Sequence, residues 1–260
     1  MVSKGAVVNV VCATYNQSED LIETITSYND QSYSNKRLII IDGRSNDGIH
    51  SVIERFCDSI DYFVSENDEG ISDAFNKGLE SIEPGYVYFL GAGDKFCSSE
   101  SLSQLLSDVD YQQDFLVCGK VKRVDILTGE VQGINPNFSE FKKRSLLFRM
   151  SLPHQGLLTS SLFFHKYGKF SLDCRYAMDY EHLLRAYHSF PNVILKDVMV
   201  AEWMSGGVGA GRIREVLNEY DLIKRRNKVA SPTLLSLVNV FILSKYYVKK
   251  VLNVFKKLSG

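Results

Sequence analysis

The sequence predicts an α/β protein built on a doubly wound, mostly parallel sheet with a helical extension at the C-terminus. Continuous apolar runs, typical of strands buried on both faces, alternate with stretches of helical periodicity over the first hundred residues. Alternation of this kind gives an open, right-handed sheet that binds its ligands beyond the carboxyl ends of the strands. Polar clusters follow the predicted strands at those ends.

The elements of the first half are well separated in the sequence. The first helix is predicted to begin at Ser18, whose hydroxyl is a favourable N-cap, and to place Leu21 and Ile25 on one apolar face. A second helix follows residue 48, and a third is predicted over residues 71–82. The predicted strands between them are residues 6–13, 38–41, 62–64 and 86–90.

The second half of the chain is less regular. We predict a long strand over residues 115–124, a mixed segment over 156–164 and a short helix over 179–187. Two further strand segments, 193–195 and 198–203, and a last helix over 233–258 follow.

The composition is that of a globular chain of 260 residues, 45% of them hydrophobic, which is enough for one large core. The net charge of −1 hides an asymmetry, because residues 212–260 carry 11 basic and 3 acidic side chains. The acidic body argues against nucleic-acid binding, whereas the basic tail suits an anionic surface. Five cysteines without CxxC spacing predict free thiols in a reducing compartment. We find no signal peptide and no apolar stretch of membrane-spanning length.

The first polar cluster joins the ends of the first two strands. Thr14, Tyr15 and Asn16 follow the first strand, and Asp42 with a glycine-containing turn, residues 43–48, follows the second. Small turn residues let a ligand approach the backbone, and a carboxylate can accept hydrogen bonds from a nucleoside. An ordinary loop with a helix cap is the alternative. The GxGxxG fingerprint of dinucleotide-binding proteins is absent here.

The second cluster, residues 65–78, precedes and enters the third helix. Acidic residues such as Asp68 and Asp73 complement a helix dipole, so capping explains part of the cluster. Lys77 lies later in the helix, where it is able to reach a phosphate or a sugar. A solvated lysine is the alternative.

The third cluster is Gly91-Ala92-Gly93-Asp94, at the end of the fourth strand. Divalent cations that prefer oxygen are commonly held by one or two carboxylates together with substrate phosphates. Asp94 and a diphosphate therefore suffice to bind such a cation. A turn aspartate before a helix is the alternative.

The fourth cluster lies in the short helix predicted over residues 179–187. Asp179 and Glu181 are two positions apart, so their side chains point in different directions and only one can face a site. Asp179, in the first turn, is the better candidate. The pair His154-Gln155 and the segment 203–208, whose glycines suit a mobile loop over a site, are weaker indications.

Together these motifs resemble family 2 glycosyltransferases, and they look closest to the bacterial branch that assembles O-antigen and related surface polysaccharides. The resemblance covers roughly residues 6–208 and rests on five motifs in order: 13–16, 42–48, 65–78, 89–94 and 178–180. It implies a GT-A fold, a UDP-sugar donor and Mn²⁺ or Mg²⁺. It also implies that Thr14 and Asp42 lie near the nucleoside, that Asp94 is the metal carboxylate and that Asp179 is the base. Family members often carry further acidic residues in the metal motif, where this chain has Ala92 and Gly93.

The resemblance implies an inverting transfer of a hexose from the UDP-sugar to a hydroxyl of an oligosaccharide linked to undecaprenyl diphosphate. A β-1,3-linked glucose or galactose is the expectation from the family. Tyr15, Asn16, Asp68, Asp73, Lys77 and Gly93 join Thr14 and Asp42 as expected donor-binding residues. A nucleotide-sugar-binding protein without turnover and another nucleotide-using α/β enzyme, such as a nucleotidyltransferase or a dehydrogenase, are the alternatives.

We therefore expect a GT-A catalytic domain at residues 1–211, with residues 1–97 for the nucleotide-sugar and 98–211 for the acceptor. Residues 212–260 are expected to form a basic amphipathic tail. From Leu237 to Leu258, apolar residues recur at helical spacing, with five lysines on the other side. This pattern is typical of a helix lying on an anionic membrane, although packing on the domain or on a partner would also explain it. The predicted location is the cytoplasm, peripheral on the inner face of the bacterial plasma membrane.

Overall fold

The computed structural model describes residues 5–205, 209 and 211–258. The strands in these residues are β1 (Val7–Thr14), β2 (Lys36–Asp42), β3 (Tyr62–Ser65), β4 (Gly85–Gly91), β5 (Lys95–Phe96), β6 (Leu116–Asp125), β7 (Val131–Asn135), β8 (Leu157–Ser160) and β9 (Val193–Ser205). The α-helices are α1 (Ser18–Asn29), α2 (Ile49–Arg55), α3 (Ile71–Gly78), α4 (Ser101–Leu105), α5 (Ser161–Tyr167), α6 (Met178–Arg185), α7 (Ile213–Arg226) and α8 (Pro232–Leu258).

All nine strands belong to one sheet, in the order β3-β2-β1-β4-β8-β6-β9-β5, with β7 paired to β6. The four strands of the first half are parallel, as the strand–helix alternation predicts. In the second half β8 is antiparallel to β4 and β6, while β6 and β9 are parallel. The predicted α/β fold is therefore confirmed. Its sheet is parallel over the first four strands and mixed beyond them.

Two local predictions need correction. The two strand segments predicted at 193–195 and 198–203 form the single strand β9. Both segments pair with β6, because the register of the pairing shifts opposite Lys120 and so accommodates the residues between the two segments. Ser18 is the first residue of α1 rather than its N-cap, which is Gln17. The Ser18 hydroxyl donates instead to the carbonyl oxygen of Asp47 at 3.0 Å, and so fixes the turn after β2.

Alternate residues of β1 contribute to the two hydrophobic layers that cover the sheet. Val8 and Val10 belong to the core with α1, whereas Val11 belongs to the core with α3. A Cβ on Gly78 would lie 2.3 Å from Val11 Cγ1, so glycine is what lets α3 pack directly on the sheet. The end of the motif at 65–78 therefore has a packing role.

The core continues past the predicted boundary at residue 211. The rings of Tyr180 on α6 and Tyr220 on α7 are stacked with centroids 4.3 Å apart. Ile223 on α7 and Leu235 and Val238 in the first turns of α8 are buried. α7 and the start of α8 are thus packed into the domain, and only the later part of α8 has the exposed apolar face that the sequence predicts. Within the part of the chain that the structure describes, no helix is long and apolar enough to cross a membrane.

Candidate active site

The carboxyl ends of β1 and β2 meet the loop that follows β3 at one edge of the sheet, in a region that we call the cleft. An added Cβ on Gly43 would come within 2.7 Å of Asp68 Oδ2 and 3.2 Å of Tyr15 Cδ2, so three chain segments converge at this glycine. Tyr15 is 62% exposed and presents its ring to solvent at the edge of the cleft. The predicted residues Tyr15 and Asp68 are therefore brought together. The absence of a side chain at Gly43 lets Asp68 and the Tyr15 ring approach the backbone closely at this point.

Asp42 is fully buried beside this cleft and organises the turn after β2. Its Oδ2 accepts hydrogen bonds from Ser45 N at 3.0 Å and from Ser65 Oγ at 2.5 Å. Asn16, in a left-handed conformation at φ 51°, ties the loop after β1 to the same turn, since its N–H donates to Ser45 Oγ at 2.7 Å. Thr14 Oγ1 is buried nearby and has no hydrogen-bond partner in the described part of the chain. An unpartnered buried hydroxyl is costly, which makes it a candidate ligand group.

Lys77 has several partners in the structure, and the expectation that it contacts a phosphate or sugar stays a prediction. Its Nζ lies 3.0 Å from Glu66 Oε1 and 3.3 Å from Asp73 Oδ2, and it donates to Asn67 O at 2.6 Å. Asp73 in turn accepts from Glu69 N at 3.1 Å. Lys77 and Asp73 therefore connect α3 to the loop that carries Asp68.

Asp94 lies directly beyond β4, in a turn that requires Gly93 because φ at this residue is 92°. Asp94 Oδ2 accepts hydrogen bonds from Gly91 N at 3.1 Å and from Gln155 Nε2 at 3.2 Å, and the backbone N–H of Met204 also interacts with the carboxylate. Burial raises the pKa of Asp94 to about 6, partly offset by these hydrogen bonds. A carboxylate held at a high pKa by burial gains from a nearby positive charge.

These donor atoms fit a divalent cation that takes its remaining ligands from a substrate. Among the described residues, no group of three or more His, Cys, Asp or Glu side chains surrounds a common point. The Asp94 carboxylate would supply one protein ligand, and diphosphate oxygens and water would complete the coordination.

Asp179 lies in the first turn of α6 and is partly exposed. Burial raises the pKa of its carboxyl, and the neighbouring His154 opposes that effect. Glu219 of α7 positions the segment before α6, because its Oε1 accepts from Tyr176 N at 3.0 Å and from Ala177 N at 2.9 Å. Asp179 thus combines an elevated pKa with a fixed backbone, as a general base requires.

Glu181 has a structural role. Glu181 is buried, and both of its carboxylate oxygens accept hydrogen bonds from Arg185 Nε, Oε1 at 3.0 Å and Oε2 at 2.9 Å. Arg185 also donates to Tyr167 O at 2.9 Å. The two carboxylates of α6 therefore have different neighbours: Arg185 binds Glu181, whereas Asp179 lies near His154.

The turn His154–Gly156 was a weak indication in the sequence, yet it joins the two candidate carboxylates. Gln155 contacts Asp94, while His154 is close enough to Asp179 for each to shift the other's pKa. The His154 ring is stacked on Phe89, with centroids 5.2 Å apart, and its Nε2 is buried without a partner in the described residues. A Cβ on Gly156 would lie 2.7 Å from Gly119 O, so glycine lets this turn approach β6. Adjacent His and Gln between apolar residues are the only sequence signal for this arrangement.

The segment 203–208 is described only in part. Trp203 lies in β9, with the Arg123 guanidinium over its ring, 5.1 Å from the centroid. Residues 206–208, which carry the predicted mobile glycines, lie outside the described residues.

Comparison with known proteins identifies relatives of similar sequence. An uncharacterized glycosyltransferase of Mycobacterium tuberculosis is 28% identical over 213 residues, which cover 79% of this chain and 78% of the relative. A PGL/p-HBAD biosynthesis glycosyltransferase of Mycobacterium bovis is 23% identical over 207 residues, or 76% of this chain and 77% of that protein.

Solved structures show the same architecture at low sequence identity. TarS 1–349 of S. aureus, in complex with UDP, superposes with a TM-score of 0.68 at 15% identity, over 93% of this chain and 72% of that one. The mannosyltransferase PcManGT of Pyrobaculum calidifontis, in complex with GDP-Man and Mn²⁺, gives 0.64 at 16% identity, over 92% and 69%. The fold is GT-A. Residues 9–170 match the model of Glycosyl transferase family 2, which is more than half of the sequence, and the chain therefore belongs to that family.

Proposed function

We propose that this family 2 glycosyltransferase transfers a hexose from a UDP-sugar to a hydroxyl of a lipid-linked oligosaccharide, with inversion at the anomeric carbon. The observation that carries the proposal is that one turn lies near both candidate carboxylates. Gln155 donates a hydrogen bond to Asp94, and His154 is near enough to Asp179 to lower the pKa of its carboxyl, so this turn links a candidate cation ligand to a candidate base.

The nucleoside of the donor would occupy the cleft between Tyr15, Gly43 and Asp68. An exposed aromatic ring offers a stacking surface, and the carboxylate of Asp68 accepts hydrogen bonds from hydroxyl or imide groups. Thr14 Oγ1 is a further hydrogen-bonding group at this strand end. The solved structures with UDP, UDP-GlcNAc and GDP-Man support a nucleotide-sugar donor, and UDP is our choice among them.

The diphosphate of the donor would lie at the end of β4, beside Asp94. Asp94 would hold Mn²⁺ or Mg²⁺ there, and the bound ion would neutralise charge on the diphosphate leaving group. Gln155 and Gly91 orient the carboxylate by binding its Oδ2. The Mn²⁺ in the complex of the mannosyltransferase PcManGT supports this choice of ions.

Asp179 would accept the proton of the acceptor hydroxyl as that oxygen attacks the anomeric carbon. A single displacement from the face opposite the diphosphate inverts the configuration, so an α-linked UDP-hexose gives a β-linkage. The raised pKa of Asp179 makes it a stronger base than an exposed carboxylate. The family expectation of a β-1,3-linked glucose or galactose in O-antigen or a related surface polysaccharide belongs to this proposal.

The acceptor is proposed to be held by undecaprenyl diphosphate, and the protein to work peripherally on the cytoplasmic face of the plasma membrane. The later turns of α8 support this, because their apolar side chains are exposed and are accompanied by exposed lysines.

Transfer from a panel of UDP-, GDP- and dTDP-sugars to a lipid-linked acceptor, with Mn²⁺ and with EDTA, tests the proposal. We expect turnover with a UDP-hexose and Mn²⁺, and a product of inverted configuration by NMR. Family membership sets aside the dehydrogenase and nucleotidyltransferase alternatives. Binding of the UDP-sugar without transfer or hydrolysis at any metal concentration would instead favour the non-catalytic binding protein.

A further inference from the structure

The later part of α8 has an apolar face that the rest of the described protein does not cover. Leu235 and Val238 anchor its first turns in the core. Beyond them lies what we call the α8 stripe, a row of side chains that are each at least 42% exposed: Leu237, Val240, Phe241, Tyr247, Val248, Val251 and Leu252. Lys245, Lys249 and Lys250 accompany it and are exposed. α8 contains no acidic residue.

A second basic and apolar element lies beside this helix. Residues 142–149, which we call the basic segment, contain four cationic side chains and no acidic one. All four, Lys142, Lys143, Arg144 and Arg149, are exposed, and Phe148 is 43% exposed. In the described residues, Lys142 alone among these cations has an acidic partner, Glu140 at 3.3 Å.

The two elements meet at a pair of exposed aromatic rings. Phe148 and Phe241 lie edge to face, with ring centroids 6.1 Å apart. The basic segment also rests on the helices around the candidate base. The Tyr180 hydroxyl donates to Leu146 O, and Lys224 Nζ donates to Leu147 O at 3.3 Å. Since Tyr180 follows Asp179, the basic segment is attached to the helix that carries the base.

We propose that the α8 stripe and the basic segment form one binding face for an anionic lipid bilayer, which turns the acceptor side of the site toward the membrane. The inference rests on the proposed function and deepens it by naming a second membrane-binding element. Its apolar rings would enter the interface while the cations meet lipid phosphates. An acceptor hydroxyl held on a lipid diphosphate would then approach Asp179 from the side of the basic segment.

The positive charge of this binding face favours an anionic bilayer over a second copy of the chain. A second copy of the chain, docked through the same face, would bring lysines and arginines of one sign together, which costs free energy. An anionic bilayer instead pairs each cation with a phosphate, and the apolar stripe with acyl chains.

Co-sedimentation of the full chain with vesicles of 70% phosphatidylcholine and 30% phosphatidylglycerol tests the inference. Each basic residue near such a surface contributes about 1 kcal/mol, so Arg144→Gln with Arg149→Gln should weaken partitioning by roughly 10- to 30-fold. Phe148→Ser should also weaken it. The matched control is Arg55→Gln with Lys166→Gln, which removes two exposed cations on α2 and α5 and should change binding little. Pure phosphatidylcholine vesicles should bind the wild type weakly.

The failures of the inference and of the proposed function are distinguishable. If Val248→Asp abolished vesicle binding while the double arginine variant bound as wild type, the basic segment would be outside the membrane face and the inference overturned. A dimer in light scattering that Phe148→Ser dissociates, without vesicle binding, would overturn it in favour of a second copy. Transfer to a soluble acceptor, which these variants should retain, reports separately on the proposed chemistry.

Discussion

Gln155 Nε2 donates a hydrogen bond to Asp94 Oδ2 at 3.2 Å, and this contact sets the direction of the carboxylate beyond β4. The preceding residue, His154, is near enough to Asp179 to lower the pKa of its carboxyl. A single turn therefore links the groups proposed to act on the leaving diphosphate and on the attacking hydroxyl, by a hydrogen bond to Asp94 and by the electrostatic effect on Asp179. Precise placing of reacting groups is a large part of catalysis in transfers of this kind.

Gln155→Leu tests this positioning role. The substitution keeps the volume of the side chain but removes the Gln155 donor to Asp94, so the carboxylate loses one of the hydrogen bonds that orient it. Loss of a residue that orients a metal ligand typically costs about 10–100-fold in metal affinity or activity. We expect a higher Mn²⁺ concentration for half-maximal transfer, and weaker Mn²⁺ binding in the presence of UDP by electron paramagnetic resonance. Gln112→Leu, on the surface, is the control. An unchanged Mn²⁺ dependence would remove Gln155 from the site.

Asp94→Asn should abolish transfer and yet stabilise the metal-free protein. The native pKa of about 6 lies above the ordinary 3.8, so the native state holds a proton that the unfolded state releases between these values. The wild type therefore loses stability as the pH rises through this window, by up to about 3 kcal/mol. Asparagine does not titrate and still accepts from Gly91 and Gln155. In EDTA, thermal unfolding should favour the variant more at pH 8 than at pH 5, and an equal or opposite trend would contradict the burial argument.

Asp179→Asn should reduce kcat by at least about 100-fold, since general-base assistance contributes roughly 10²–10⁴-fold. The amide keeps the shape of the side chain, so the affinity for UDP-sugar, measured by calorimetry, should remain near that of the wild type. Glu181→Gln provides the comparison two residues away. It weakens a buried pair with Arg185 and should lower the melting temperature with a milder effect on kcat. Reversed effects would assign the role of base to Glu181.

The acid limb of the pH profile of kcat should lie above the ordinary titration range of a carboxylate. Burial raises the pKa of Asp179 and Glu219 adds to the rise, while His154 lowers it. A base must be deprotonated, so activity is lost as the pH falls through this raised pKa. His154→Phe keeps a ring on Phe89 but removes the opposing imidazole, and the limb should move to higher pH. A limb that stays in place would show that His154 does not act through Asp179.

Much of the fold could be predicted from the sequence because the first half of the chain obeys simple periodicities. The buried runs at residues 10–13 in β1 and 38–41 in β2 are apolar on both faces, which is typical of a strand covered by helices on both sides. The second half resisted prediction, because β8 and β6 pair antiparallel and their order depends on contacts distant in sequence. No local pattern encodes such pairing.

The candidate site could be located from the sequence where a carboxylate follows a strand, as for Asp94, or lies in the first turn of a helix, as for Asp179. It was not predictable where a side chain's partner decides its role. Lys77 has the same local sequence whether it binds a phosphate or, as observed, Glu66 and Asp73. The importance of Gln155 depends on a contact 61 positions away along the chain, which the spacing of residues cannot reveal.

Two truncations of the tail separate its folding role from its proposed membrane role. A chain ending at residue 230 loses Leu235 and Val238, which are buried, and burial of one such leucine is worth about 2–5 kcal/mol. We expect this chain to be less stable and prone to aggregate.

A chain ending at residue 239 keeps both residues and loses most of the α8 stripe. It should fold, retain transfer to a soluble acceptor and bind anionic vesicles weakly, with a greater loss of activity on a lipid-linked acceptor. Because salt screens charges, high ionic strength should release the intact protein from the vesicles. It should not change the already weak vesicle binding of the chain that ends at residue 239. Aggregation of the chain that ends at residue 239 would mean that the α8 stripe is covered within the folded protein or by a partner, and that the membrane role is wrong.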